Sequence, residues 1–125
     1  RLQGIRLFSG LSKKELEQLA QWTDEISIGE GQELATEGHF AHEFFVIEEG
    51  KAEVRQNGER VAALCPGAFL GALGLIETER RTATVVAPEP MQLIVMFQRE
   101  FKAMEREMPV VADRIRAAIR ARLDG

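Results

Sequence analysis

The chain has 125 residues, 45% apolar and 29% charged, with a formal net charge of -4; this is the composition of one soluble domain long enough to bury a core without staples. No apolar run approaches the roughly 20 residues of a membrane span. The single cysteine, Cys65, excludes an internal disulfide framework and points to a reducing, cytoplasmic compartment.

The first four residues, Arg1-Leu2-Gln3-Gly4, carry no initiator Met and no signal-peptide core, as expected of a trimmed chain or of one segment of a longer protein. Ser12 with Glu15 three residues on makes a capping box, and Leu11 and Leu16 stand at the positions of a hydrophobic staple. A helix is predicted over 13–22, with Leu16, Leu19 and Ala20 inward and Trp22 as a core anchor. Residues 1–24 are thus read as an N-terminal helical segment.

Residues 25–97 read as β. Apolar or alternating runs fall at 26–28, 44–47, 52–55, 61–64, 82–87 and 92–97, with Gly31, Gly38, Gly50, Asn57-Gly58 and Pro66-Gly67 between them. Asn57-Gly58 between two such runs is a hairpin signal, because a type I′ turn needs positive φ at both positions. Short strands separated by glycine turns suggest a roll, barrel or sandwich, and propensity alone does not choose among them. Cys65 ends one of these runs and is expected as a small buried hydrophobe.

Residues 98–123 return to a helical period. Phe101, Met104 and Met108 share a face, and Pro109 breaks the helix. Val111, Ile115 and Ile119, with Ala118 beside them, then form a stripe that must bury against the roll, a partner chain or a ligand. Arg114, Arg116, Arg120 and Arg122 make the tail basic, whereas residues 23–60 are acid-rich. The arginines are read as complements to the helix dipole and as a solvated face, not as a nucleic-acid contact.

Residues 66–85 carry the chemistry. They read as a turn, one short helical turn, a charged loop and a strand. Gly71 and Gly74 let a ligand approach the backbone, and the start of the short helix offers N–H groups to an anion. Arg81 follows, able to fork onto a phosphate, with the small residues Thr82-Ala83-Thr84 leaving it room.

This segment resembles the phosphate-binding cassette of the cyclic-nucleotide-binding domain family, found as the effector domain of bacterial CAP/CRP-like regulators. The family pattern is Phe-Gly-Glu-Leu-Ala-Leu-Leu, a four-residue loop, then Arg-(Ser/Thr/Ala)-Ala-Thr-Val. Here Leu70-Gly71-Ala72-Leu73-Gly74-Leu75-Ile76, the loop 77–80, and Arg81-Thr82-Ala83-Thr84-Val85 fill it. The run Phe44-Phe45-Val46-Ile47 before Glu48-Glu49-Gly50 and the terminal helices also match, so the resemblance covers nearly the whole chain.

The resemblance implies a mainly β fold: a β-roll (double-stranded β-helix, jelly-roll-like) over 25–97, one N-terminal helix, C-terminal helices over 98–123, and a cassette over 67–85. It implies that Arg81 pairs with the cyclic phosphate and that backbone N–H groups near Leu73, Gly74 and Ala83 complete the cradle, with Gly71 and Ala72 beside them. Thr82 places a hydroxyl near the phosphate or the base, which keeps cGMP open beside the preferred cAMP. The family's ribose-binding glutamate falls at Ala72. Losing a hydrogen bond to a charged group weakens binding roughly 10- to 150-fold. Gly74, Ala68 and Leu70 also depart from the family's alanine, aspartate and phenylalanine.

Two readings lead, with an enzyme of the cupin type as a minor third. In the first the chain is a regulatory module that binds cAMP or cGMP and signals through its C-terminal helices, with Val111, Ile115 and Ile119 as a lid or a dimer seam. In the second it is a ligand-dead or retuned docking module of the same fold, and Arg81 is structural, paired with Glu77 or Glu79. In the first reading, Arg81→Ala abolishes binding and spares the stability of the ligand-free protein. The partners expected are a cyclic nucleotide and a second copy or a partner protein on the 109–123 helix. Nucleic acid is not expected to bind this chain alone, which has no length for a helix-turn-helix domain after the roll, and no membrane partner is expected. No nucleophile–base constellation or paired carboxylates indicate an enzyme, and no cofactor is implied. His39 and His42, the only histidines, lack the companions a metal site needs.

Overall fold

A computed structural model describes residues 5–77 and 79–124. A short 3-10 turn, Arg6–Phe8, leads into helix α1, Lys13–Ala20. The capping box forms: Ser12 Oγ accepts from the Glu15 amide at 3.1 Å, and the Ser12 amide donates to Glu15 Oε1 at 2.9 Å. Leu19 is fully buried and Leu16 half-buried, but Ala20 is exposed as the last helical residue. Trp22 lies beyond the helix end, half-buried against the core.

Ten strands follow among the described residues: β1 Asp24–Ile28, β2 Glu33–Ala35, β3 Phe40–Ala41, β4 Glu43–Glu49, β5 Ala52–Gln56, β6 Glu59–Leu64, β7 Phe69–Leu70, β8 Glu79–Arg80, β9 Thr84–Val86 and β10 Met91–Phe97. They pair antiparallel in two four-stranded sheets, ordered β1-β10-β4-β7 and β2-β9-β5-β6, with β3 and β8 as a separate pair. This is the expected roll. The β5–β6 hairpin turns at Asn57 (φ 53°) and Gly58 (φ 81°), the positive pair of a type I′ turn.

The central strands β4 and β10 explain their own sequences. Phe44, Val46, Ile94 and Met96 face the helices, whereas Phe45, Ile47, Leu93 and Val95 face the second sheet. Both faces are buried, so each strand is a continuous apolar run without polar alternation. At the other extreme, β6 is an edge strand exposed along almost its whole length. Cys65 follows it and is exposed. The expectation of a buried thiol fails because the strand before it has no layer above it.

Helix α2, Gln98–Glu107, and helix α3, Pro109–Asp124, are separated at Met108 (φ -136°, ψ 62°), with Pro109 in the first position of α3, where its missing N–H costs nothing. Phe101 and Met104 are fully buried, and Met108 only half-buried. Val111, Ile115 and Ile119 pack in one cluster with Ile5, Leu7 and Phe8 of the N-terminal segment. The chain's own core therefore takes this stripe, and a lid or seam on α3 has to use other side chains.

The tail arginines are paired and not merely solvated. Arg114 Nη1 donates to both oxygens of Glu15 at 2.9 Å, tying α3 to α1. Arg116 pairs with Glu105 and, at 2.7 Å, with Asp113. Arg120 reaches Glu77 at 3.3 Å. The side chain of Arg122 lies outside the described residues.

Candidate ligand site

The cassette leaves the sheet at β7 and returns at β9. Gly71 makes the exit, at φ 83°. A Cβ there would stand 2.3 Å from the Glu43 carbonyl oxygen and 2.5 Å from Arg81 Nη1. No side chain fits, so glycine is required both by conformation and by the close approach of the arginine. A single 3-10 turn, Ala72–Leu75, follows, burying Gly74 and Leu75. A Cβ on Gly74 would meet the Ala41 carbonyl at 2.9 Å. The turn lies closer to β3 than an alanine permits, which accounts for the departure from the family pattern.

Arg81 is the centre of the site. Backbone bonds fix its main chain just past β8: its amide donates to His39 O at 2.7 Å, and its carbonyl accepts from the Gly38 amide at 2.9 Å. Its side chain, 9% exposed, runs beneath Gly71. Nη2 donates to Glu43 O at 2.8 Å and lies 3.8 Å from Glu43 Oε2. Burial lowers its pKa from the ordinary guanidinium value, and the Glu43 carboxylate opposes that shift. Glu43 is thus the acidic partner, in place of the expected Glu77 or Glu79. Glu77 pairs with Arg120 instead, and the side chain of Glu79 lies outside the described residues.

A cleft of about 220 Å³ opens over this centre, lined by Ala41, Gly71, Ala72, Leu73, Gly74, Arg80, Arg81 and Thr82. Six of the seven expected site residues therefore share one cavity wall. Ala83, half-buried, is the exception and lies just past the lining. The Gly74 amide does not face the cleft as a free donor, because it donates to Gly71 O at 3.0 Å.

Residues 25–107 match the family described as cyclic nucleotide-binding domain. The chain belongs to that family. The domain is 26% identical over 127 residues to the cyclic AMP receptor protein of Thermus thermophilus, covering 98% of this chain and 59% of that protein. It is 35% identical over 105 residues to the Pycsar effector protein XpPycTIR of Xanthomonas perforans, covering 78% of this chain and 35% of that one. The chain thus spans between about a third and three fifths of these two relatives. Among solved structures, the N-terminal domain of a transcriptional regulator from Streptomyces coelicolor superposes with a TM-score of 0.85 at 25% identity, over 94% of this chain and 86% of that one. The Thermus thermophilus catabolite activator protein follows at 0.78 and 25% identity, over 94% and 58%.

Three residues of the domain's site had no signal in the cassette itself. Glu43 holds Arg81 from the start of β4. Phe40 lies under Arg80, whose guanidinium carbon is 4.3 Å from the ring centroid. Gly38 O accepts from Arg80 Nη1 at 2.7 Å. All three come from the β2–β4 region, about forty residues upstream. His39 and His42 are exposed, and no group of three or more potential ligands gathers for a metal among the described residues. No described helix is long and apolar enough to cross a membrane.

Proposed function

We propose that the domain is a non-catalytic regulatory module that binds a nucleotide phosphate on Arg81, cAMP in preference to cGMP, and passes the signal to its C-terminal helices. The observation that carries this reading is the Arg81 guanidinium laid under the Gly71 turn, at the wall of a cleft made by the cassette. A buried arginine already aimed by a hydrogen bond to the Glu43 carbonyl, with the Glu43 carboxylate 3.8 Å away, loses little rotamer entropy on meeting an anion. The route outward begins at Glu77, which closes the 3-10 turn by donating its amide to Leu73 O at 3.0 Å and pairs with Arg120 of α3. A ligand that moves the turn biases α3 through that link, by as much as its affinity differs between the two positions of the turn.

A second reading, a ligand-dead docking module, is favoured by one observation: position 72 holds an alanine, which leaves the ribose without its acceptor. Calorimetric titration of refolded, ligand-free protein with cAMP and then cGMP separates the two. Saturable binding of either, lost in Arg81→Ala, supports the sensor. Heat from neither, up to millimolar nucleotide, favours the docking module.

A further inference from the structure

The β3–β8 pair puts a second arginine on the cleft. Its register sets Phe40 opposite Arg80, so the guanidinium stacks on the neighbouring strand's ring at 4.3 Å and is tied to Gly38 O at 2.7 Å. Phe40 itself is 48% exposed. An exposed arginine normally samples many rotamers, and this one is held in one place by a ring and a carbonyl. Two of its fixed contacts leave most of its five N–H donors for other acceptors.

Arg80 and Arg81 are adjacent, but their heads diverge. Arg81 turns inward beneath Gly71, and Arg80 lies outward over Phe40. They are the only charged side chains among the described residues that line the cleft. At position 72 an alanine takes the place where a carboxylate would accept a ribose hydroxyl and repel a second anion. One cyclic phosphate satisfies one guanidinium. Two diverging guanidinium groups on a wall with no carboxylate among the described lining residues match two separate phosphoryl groups.

Resting on the nucleotide-binding reading of the cleft, we infer that its ligand is a nucleotide carrying two phosphoryl groups, of the cyclic dinucleotide class, with one phosphate on Arg81 and the other on Arg80. Arg80 is then the residue that sets specificity against mononucleotides. The alanine at position 72 in place of a ribose-binding glutamate is no handicap for such a ligand, since the second phosphate replaces the missing anchor.

The test titrates refolded protein with cyclic di-AMP, cyclic di-GMP and cAMP, each against the natural chain and Arg80→Gln. At least one dinucleotide is expected to bind at least about 10-fold tighter than cAMP. Arg80→Gln should weaken that dinucleotide roughly 10- to 100-fold, the worth of a charged hydrogen bond, and cAMP by less than about threefold. If the variant disturbs the small β3–β8 pair, the natural chain still decides. Its affinity for the dinucleotide should fall more steeply with added salt than its affinity for cAMP, because two charges are screened and not one. Binding of cAMP as tight as either dinucleotide, or equal losses for both ligand types in Arg80→Gln, overturns the inference. Binding of cAMP alone overturns it and leaves the function standing, whereas silence from all three nucleotides sinks both.

Discussion

At the scale of single residues, Arg81 does two things that a surface arginine does not. It donates to the Glu43 carbonyl, and it fills the space under Gly71. Arg81→Ala is therefore expected to abolish nucleotide binding and also to cost about 1–3 kcal/mol in the ligand-free protein, because a part-buried carbonyl loses its donor. Urea unfolding of the ligand-free variant measures the second effect. An unchanged midpoint would show that Glu43 O finds another donor. Sequence reasoning expected no such cost, since the partner of Arg81 stands 38 positions away across a strand pair. The cassette was legible because its spacing is local; Glu43, Phe40 and Gly38 were not, because a fold brings them there. Ala72→Glu tests the opposite end of the site. It should tighten cAMP by about one to two decades, from the worth of one charged hydrogen bond. No change in a titration would mean that position 72 does not face the ribose.

Individual elements divide in the same way. The α1 cap and the β5–β6 turn were legible because each is written within four residues: Ser12 to Glu15, and Asn57-Gly58 at its two positive φ angles. Strands β2, β3, β7 and β8 were not, since two or three residues cannot display an alternation. Yet β3 and β8 carry Phe40 and Arg80 to the cleft. The cap of α1 also acts at long range, because Glu15 accepts from both the Ser12 amide and Arg114. The Ser12 backbone hydrogen bond is the largest influence lowering the Glu15 pKa below the ordinary glutamate value, partial burial opposes it, and Arg114 adds to the lowering. A carboxylate whose pKa is depressed by folding stabilises the fold above its unfolded pKa and loses that contribution as pH falls through the folded one. Glu15→Gln should therefore be less stable than the natural chain near pH 7, with the gap closing as pH falls from the ordinary glutamate range through the depressed folded pKa. Thermal unfolding of both proteins across that window checks it, and a gap that persists in acid would assign the loss to packing instead.

For the whole molecule, the question is what α3 is free to do. Its apolar stripe is shared with the N-terminal segment and the helix-facing side of β4 and β10, so the two chain ends and the first sheet make one cluster. Any motion that carries a signal must move α3 with its partners or unpack it. Two polar links report which. Glu15 ties α3 to α1, and Glu77 ties it to the cassette. Both are largely exposed pairs of modest strength, weak enough to break in a switch while the buried stripe holds. If Ile115, 2% exposed, belongs to the chain's own core, Ile115→Val leaves a small cavity and costs about 0.5–1.5 kcal/mol. That cost should be the same at micromolar and at hundredfold higher protein concentration, because both the natural side chain and the cavity lie within one chain. An interface residue behaves otherwise, since the stability of a dimer rises with concentration and so does the penalty for weakening its seam. Chemical denaturation at the two concentrations distinguishes the cases: parallel losses leave α3 as an internal lever driven from the cassette, whereas a loss that grows with concentration would return the stripe to a contact between copies.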